Sequence, residues 1–223
     1  MTTASPPAPA RDCDLCPRLA AFRAGNALRF PLWHNAPVPS FGDAGARLLV
    51  VGLGPGLRGA NRSGRPFTGD YAGDLLYATL ARHGFARGSF VAPREDAPWT
   101  GDGLELLDAR VTNAVRCVPP ANKPMPAEIR ACNGFLGAEI AAMPALRAIV
   151  ALGRVAHEAV LAALGLRRAA FPFAHGAVHS LGDGRVLADS FHCSRYNTNT
   201  RRLTPEMFDA VFAELRRRLP PGT

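Results

Sequence analysis

Lysine is almost missing from this chain: of 26 basic residues only Lys123 is a lysine, and the other 25 are arginine. No Gly-Lys-Ser/Thr follows the glycine-rich stretch at 52–56, which excludes a nucleotide-binding P-loop there. Gly52, Gly54 and Gly56 alternate, so the stretch is not the G-x-G-x-x-G dinucleotide fingerprint either. No apolar run is long enough to span a bilayer as a helix. Repeats are absent, which excludes solenoids and propellers. The opening residues lack a charged segment followed by an apolar one, so no signal peptide is expected. The expectation is a cytoplasmic protein with no membrane partner.

What is present suits a globular domain. The 223 residues are 48% hydrophobic and fit one domain with a real core. Residues 1–11, rich in Pro and Ala, read as a disordered tail ahead of a single domain at 12–223. The formal charge is +8, which favours a polyanionic partner, and arginine grips phosphate in bidentate fashion.

Four of the five cysteines are patterned. Cys13 and Cys16 form a C-x-x-C pair, and Cys117 and Cys132 follow about a hundred residues later. Four thiolates close a structural metal site. Zinc more often uses two C-x-x-C knuckles, and this layout suits a four-cysteine iron–sulfur cluster at least as well. Zinc and unliganded thiols remain open. Either metal requires reduced thiols and a reducing compartment.

Periodicity predicts helices at 12–25, 73–83, 126–142, 154–164 and 205–218, the last capped by Thr204 with Pro205 in first position. Strands are predicted at 47–52, 109–115, 147–152 and 184–190. Residues 30–42 read as an extended loop and 86–108 as mostly loop. The alternation predicts an α/β fold: doubly wound, three-layer αβα, with a short, mostly parallel central sheet of about four strands. Ligands in such sheets bind beyond the carboxyl ends of the strands, which points to the loops after Gly52, Asn113 and Ser190.

Each of these loops carries polar chemistry. Gly52-Leu53-Gly54-Pro55-Gly56 lets backbone approach a ligand, and Phe67 and Asp70 follow with Arg62 nearby. Asp70 also suits a helix N-cap. Asn113 offers both a donor and an acceptor, as reading a base edge requires. Arg116, Asn122 and Lys123 lie just beyond it. The third loop holds His192, Ser194, Arg195, Tyr196 and Asn197. His34, His83, His157, His175 and His179 lack such settings and are given no role.

Together the segments CDLCPRL, GLGPG, NRSGRPFTGD, TNAVRCVPPANKPMPAEIRAC, ALGR and HCSRYNTNT resemble the iron–sulfur branch of the uracil-DNA glycosylase superfamily, over about residues 12–217. The likeness is greatest to family 5, where the residue after the first glycine is apolar, as Leu53 is; family 4 carries Glu there. The resemblance implies a [4Fe–4S] cluster on Cys13, Cys16, Cys117 and Cys132. It implies a base pocket from residues 52–56, with Phe67 stacking on the base and Asn113 reading its edge. His192 and Asp70 would be catalytic, with Asn113 or Asn122 as alternative holders of the water. Ser194, Arg195, Tyr196 and Asn197 would enter the duplex, and Arg62, Arg116 and Lys123 would contact DNA. The implied substrate is DNA containing uracil or other deaminated bases, hypoxanthine and xanthine included.

Two departures carry expectations. Gly54, where family 5 usually has Ala, loosens its loop. Cys193, where an aliphatic residue or Pro is usual, puts an oxidisable thiol beside the wedge. A non-enzymatic iron–sulfur or zinc nucleic-acid-binding module, a nucleoside hydrolase and a family 4-like enzyme are the alternatives.

Overall fold

The computed structural model describes residues 7–69, 71–91 and 99–220. Its strands are β1 (Leu48–Gly52), β2 (Ala86–Arg87), β3 (Glu105–Leu106), β4 (Ala109–Asn113), β5 (Ala148–Leu152), β6 (Val178–Ser180) and β7 (Val186–Ser190). Its helices are α1 (Pro17–Arg29), α2 (Ala60–Ser63), α3 (Tyr71–Arg82), α4 (Pro126–Ala141), α5 (Arg154–Ala163), α6 (Arg195–Asn199) and α7 (Pro205–Arg218). Pro17 opens α1 five residues later than the sequence suggests; its fixed φ suits a first helical position. The Thr204 cap is as expected, its hydroxyl accepting from Met207 N–H.

The main sheet runs β4-β1-β5-β7-β6. The first four strands are parallel, and β6 is an antiparallel edge strand that the sequence pattern did not reveal. β2 and β3 form a separate two-residue ladder within the stretch read as loop. The chain leaves β1 for β4 on one side and returns through β5 on the other, so the switch point lies between β1 and β5.

β1 and β5 are buried on both faces, and alternation sorts their side chains into two cores. Leu48 and Val50 pack with Leu76 and Leu80 of α3 and with Phe208, Phe212 and Leu215 of α7. Leu49 and Val51 pack with Leu136 and Ile140 of α4 and with Ala156 and Val160 of α5. Three layers follow directly, with the sheet in the middle. No helix of the described residues is long and apolar enough to cross a membrane.

One buried carboxylate ties the sheet to its surroundings. Glu139 on α4 is 1% exposed, and it accepts from Arg110 of β4 at 2.7 Å and from Arg116 at 2.5 Å. Arg116 also donates to Ser40 at 2.7 Å. Of the expected tail, residues 7–11 make contacts: Arg11 donates to the His34 carbonyl at 3.1 Å, and Pro9 lies beside the cysteines.

Removing Glu139 as Glu139→Leu strands two guanidinium groups in the interior. The expected cost is about 3–5 kcal/mol. Thr204→Ala, which deletes only a cap, should cost about 1 kcal/mol. Urea denaturation of the two variants checks both the size and the order.

Candidate active site and cysteine centre

The parallel strands all end at one edge, and a cleft of about 700 Å³ opens there. It is lined by Leu53, Gly54, Pro55 and Gly56 after β1, by Pro119 and Asn122 after β4, and by His192, Ser194, Arg195 and Tyr196 after β7. These are the three loops that the sequence singled out. A fourth, Leu152 to Val155 after β5, was given no role there. It brings Arg154, exposed in the lining and lying 5.4 Å from the Phe173 ring. The strand-end rule applied to β5 as well would have found it.

Gly52, Asn113, Phe67 and His192 pack together behind the lining, and of the four it is His192 that reaches the cleft itself. A Cβ on Gly52 would lie 2.5 Å from both Asn113 Oδ1 and Phe67 Cζ, so only glycine lets those two side chains come together here. Gly73 serves the same end from α3, since a Cβ there would lie 1.9 Å from the Phe67 carbonyl. Phe67 has φ +54°, in the left-handed region that a bulky residue rarely adopts. Several contacts offset that strain. Tyr77 donates to the Pro66 carbonyl at 2.5 Å, and Thr68 to the Arg65 carbonyl at 2.7 Å. Arg65 makes a bidentate pair with Asp102 at 2.8 and 2.6 Å, inside a ring of Phe41, Tyr77, Phe90 and Trp99. Burial alone would raise the Asp102 carboxyl, but the Arg65 contact holds it down to about 2.

The Phe67 ring stacks on His192, centroids 5.9 Å apart and planes 24° from parallel. Asn113 is 3% exposed, and its amide has no hydrogen-bond partner among the described residues. Burial holds the His192 imidazole down to about 4, so it is neutral near pH 7. The site therefore presents an aromatic face, an uncommitted amide and a neutral imidazole. Asp70 lies outside the described residues.

The rim differs from expectation in five places. Arg62 and Arg116, expected to touch DNA, are 7% and 2% exposed. Arg116 is spent on Glu139 and Ser40, and Arg62 lies 6.0 Å from the Trp33 ring. Ser194 accepts from Asn197 N–H and caps α6 rather than standing free as a wedge. Asn197 donates to the His192 carbonyl at 2.8 Å and braces that loop. Cys193 is fully buried and donates to the Ala72 carbonyl at 3.5 Å, so its thiol is shielded and is not part of a wedge. Tyr196, 73% exposed, and exposed Arg195 are the residues that project from the rim, while Asn122 and Lys123 are exposed across the cleft. A methyl on Gly54 would meet its nearest atom at 3.4 Å, so alanine fits there and glycine is not needed to shape the loop.

Cys13, Cys16, Cys117 and Cys132 converge on one cavity, joined by Leu19, Arg23 and Val115. Arg23, itself buried, donates to Cys117 Sγ at 2.8 Å and to the Cys13 carbonyl at 2.9 Å. The Arg116 backbone N–H donates to Cys132 Sγ at 3.4 Å. Burial pushes the Cys132 thiol up to about 11 and raises Cys117 and Cys16 as well, with Arg23 opposing at Cys117. Thiolates in such a place need a bound cation. Around a single zinc the sulfurs would stand about 3.8 Å apart, given Zn–S near 2.3 Å in a tetrahedron. Among the described residues, the group of three possible ligands within 4.8 Å of one another is His157, His179 and Asp189, which contains no cysteine. Four cysteines around one cavity, with N–H donors aimed at two of the sulfurs, are a donor set that an iron–sulfur cluster takes.

The histidine group is already satisfied internally. His157 Nδ1 lies 2.7 Å from Asp189 Oδ1, its Nε2 lies 2.9 Å from the Phe171 carbonyl, and His179 Nε2 lies 3.3 Å from Asp189 Oδ2. Both His157 nitrogens and both Asp189 carboxylate oxygens thus have partners within the protein.

The sequence model described as Uracil DNA glycosylase superfamily matches residues 39–216. A type-5 uracil-DNA glycosylase of Thermus thermophilus is 49% identical over 211 residues, covering 92% of this chain and 93% of the relative. One of Mycobacterium bovis is 42% identical over 214 residues, 92% of this chain and 77% of the relative. A type-4 uracil-DNA glycosylase of Pyrobaculum aerophilum is 32% identical over 158 residues, 70% of this chain and 63% of the relative.

The state of His192 is open to direct measurement. Its folded value of about 4 lies below the 6.5 of a free imidazole, so the unfolded chain takes up this proton first. The contribution to stability is whole above pH 6.5 and is lost as pH falls from there toward 4. In ring-¹⁵N spectra His192 should stay neutral from pH 8 down to 5, and a midpoint near 6.5 would contradict the burial argument.

Proposed function

The chain belongs to the uracil-DNA glycosylase superfamily, and we propose that it excises uracil from DNA by hydrolysing the N-glycosidic bond, leaving an abasic site. The observation that carries this reading is that neutral His192 lines a cleft at the switch point with the buried Phe67 ring stacked behind it and the uncommitted Asn113 amide beside that ring at Gly52. A base inside a duplex cannot reach such a cleft, so the nucleotide must be extruded. Tyr196 and Arg195 project where the gap in the stack would be filled.

The chemistry builds negative charge on the departing base and positive charge on the sugar. A flipped base takes the face of Phe67 that His192 now covers, which moves the imidazole to the base's edge. Neutral His192 can there donate a hydrogen bond to the base oxygen as it becomes anionic. Asn113 reads the edge with its donor and acceptor. Asp70 orients water and offsets the sugar cation; failing it, the backbone of the Gly52–Gly56 loop, Asn113 or Asn122 holds the water. Leu53 makes the pocket apolar where an acid would fix a water. Fewer polar readers discriminate less, which supports hypoxanthine and xanthine as further substrates.

Cys13, Cys16, Cys117 and Cys132 would hold a [4Fe–4S] cluster, which supplies a structural clamp. The donor set ties α1 to the loop between β4 and α4, and so to Asn113. The protein is read as a monomeric single domain acting on DNA in the prokaryotic cytoplasm.

Oligonucleotides bearing uracil, hypoxanthine, xanthine and normal bases test the reading; no abasic product from any deaminated base would overturn it. His192→Ala should slow single-turnover uracil release by about 10²–10³ while DNA binding persists. Asp70→Asn keeps the shape and a possible cap. Normal melting with a wild-type rate would assign Asp70 to the cap alone. Anaerobically purified protein should be brown with about four irons per chain, against one tightly bound zinc on the competing reading. Arg195→Ala should weaken DNA binding by about 1 kcal/mol or more and flatten its salt dependence.

A further inference from the structure

The loop that carries His192 is held from behind by a second histidine. His175 Nδ1 accepts the Phe191 backbone N–H at 3.1 Å, one residue before His192. The His175 and Phe191 rings stack, centroids 5.0 Å apart and planes 18° from parallel. Arg202 covers Phe191 at 4.7 Å from its ring centre. An Nδ1 that accepts carries no proton, so the ring is the neutral Nε2–H tautomer. Burial lowers its proton affinity and favours that state, with the Met207 backbone opposing.

His175 sits on a platform that does not yield easily. Its segment is bound to β7 on both sides: Gly176 N–H donates to the Asp189 carbonyl at 2.9 Å, and Asp189 N–H to the Ala177 carbonyl at 2.9 Å. Ala174 N–H reaches the Asp189 carboxylate at 3.4 Å, and the other oxygen of that carboxylate lies 2.7 Å from His157 Nδ1. From His157 to His192 the contacts are continuous, with His175 the link that touches the backbone of the catalytic loop.

We propose that His175 is a positioning residue for His192, acting through the hydrogen bond that its Nδ1 accepts from Phe191 N–H. It touches neither base nor sugar. Its effect is to fix where the backbone delivers the His192 imidazole relative to Phe67. Displacement of a catalytic group by about 1 Å can cost on the order of 10²-fold in rate. The inference rests on the glycosylase reading for its kinetic arm and on geometry alone for its structural arm.

The test compares His175→Leu, His175→Asn and His175→Gln in the cluster-loaded protein. The asparagine carboxamide oxygen takes the place of Nδ1 and keeps the acceptor; the glutamine amide reaches past it. Two quantities are read: single-turnover uracil release against DNA affinity, and hydrogen exchange of the Phe191 amide. The Leu and Gln variants should be slower by roughly 10–100-fold with DNA affinity unchanged, and their Phe191 amide should exchange fast. Asn should lie within a few-fold of wild type on both measures. Where Leu does not fold, the Asn and Gln pair decides alone. Gln releasing uracil as fast as wild type overturns the proposal, as does folded Asn as slow as Gln. Wild-type protein that releases no uracil overturns the glycosylase reading instead. The exchange data then still judge the contact, and equal Phe191 protection in wild type and Gln sinks it.

Discussion

Glu139 is the contact on which the rest of the molecule depends. A carboxylate that is 1% exposed survives in the interior only with its charge met, and here two guanidinium groups meet it. Those groups belong to Arg110 and Arg116, so the chain between them is pinned at both ends. Asn113 lies inside that span and Cys117 immediately after it. Cys132 lies two helical turns before Glu139 on the same helix. The Asn113 amide and two of the four thiols are thus placed by one buried ionic cluster. The sheet edge fixes the direction of the site, and this cluster fixes its depth.

The fold was readable because its signals are long and periodic. β1 and β5 are unbroken apolar runs, and α7 carries a capping threonine, a first-position proline and a regular apolar stripe. What escaped was short or relational. β6 is three residues on an edge, and it exists because β7 offers it a partner. α2 and α6 span four and five residues, too few for any period to show. The site was legible as three loops because parallel strands send every ligand loop to one edge. The fourth loop, although its ALGR segment was noted, was given no role because Gly153-Arg154 lacks the crowd of polar residues that marked the others. His175 was passed over for a deeper reason: its partner is a backbone N–H, and no side-chain pattern announces such a contact.

Arginine content misled in an instructive way. An excess of 25 arginines suggests a phosphate-binding face, yet Arg23, Arg62, Arg65 and Arg116 are all at most 7% exposed. They do interior work: one donates to a cysteine sulfur, one is caged by aromatic rings, one closes an ion cluster. A guanidinium has a planar apolar surface and five donors, so it can be buried where an ammonium could not. Net charge therefore overstates the basic surface. The exposed arginines at the cleft, Arg154 and Arg195, are the ones available to a polyanion.

The cysteine cavity also orders events in time. Its four cysteines are all present once Cys132 has been made, when β5, β6 and β7 do not yet exist. By then β1 and β4, neighbours in the final sheet, are both available to pair, and α3 and the start of α4 can cover them. An emerging chain can thus close its first half around those thiols while the second half is still being translated. Until β5 arrives, the inner edge of β1 is an unpaired, fully apolar strand, open to any other chain that can pair with it. Pairing with β5 is what closes that edge, so the order in which the two neighbours of β1 emerge decides how long it stays open.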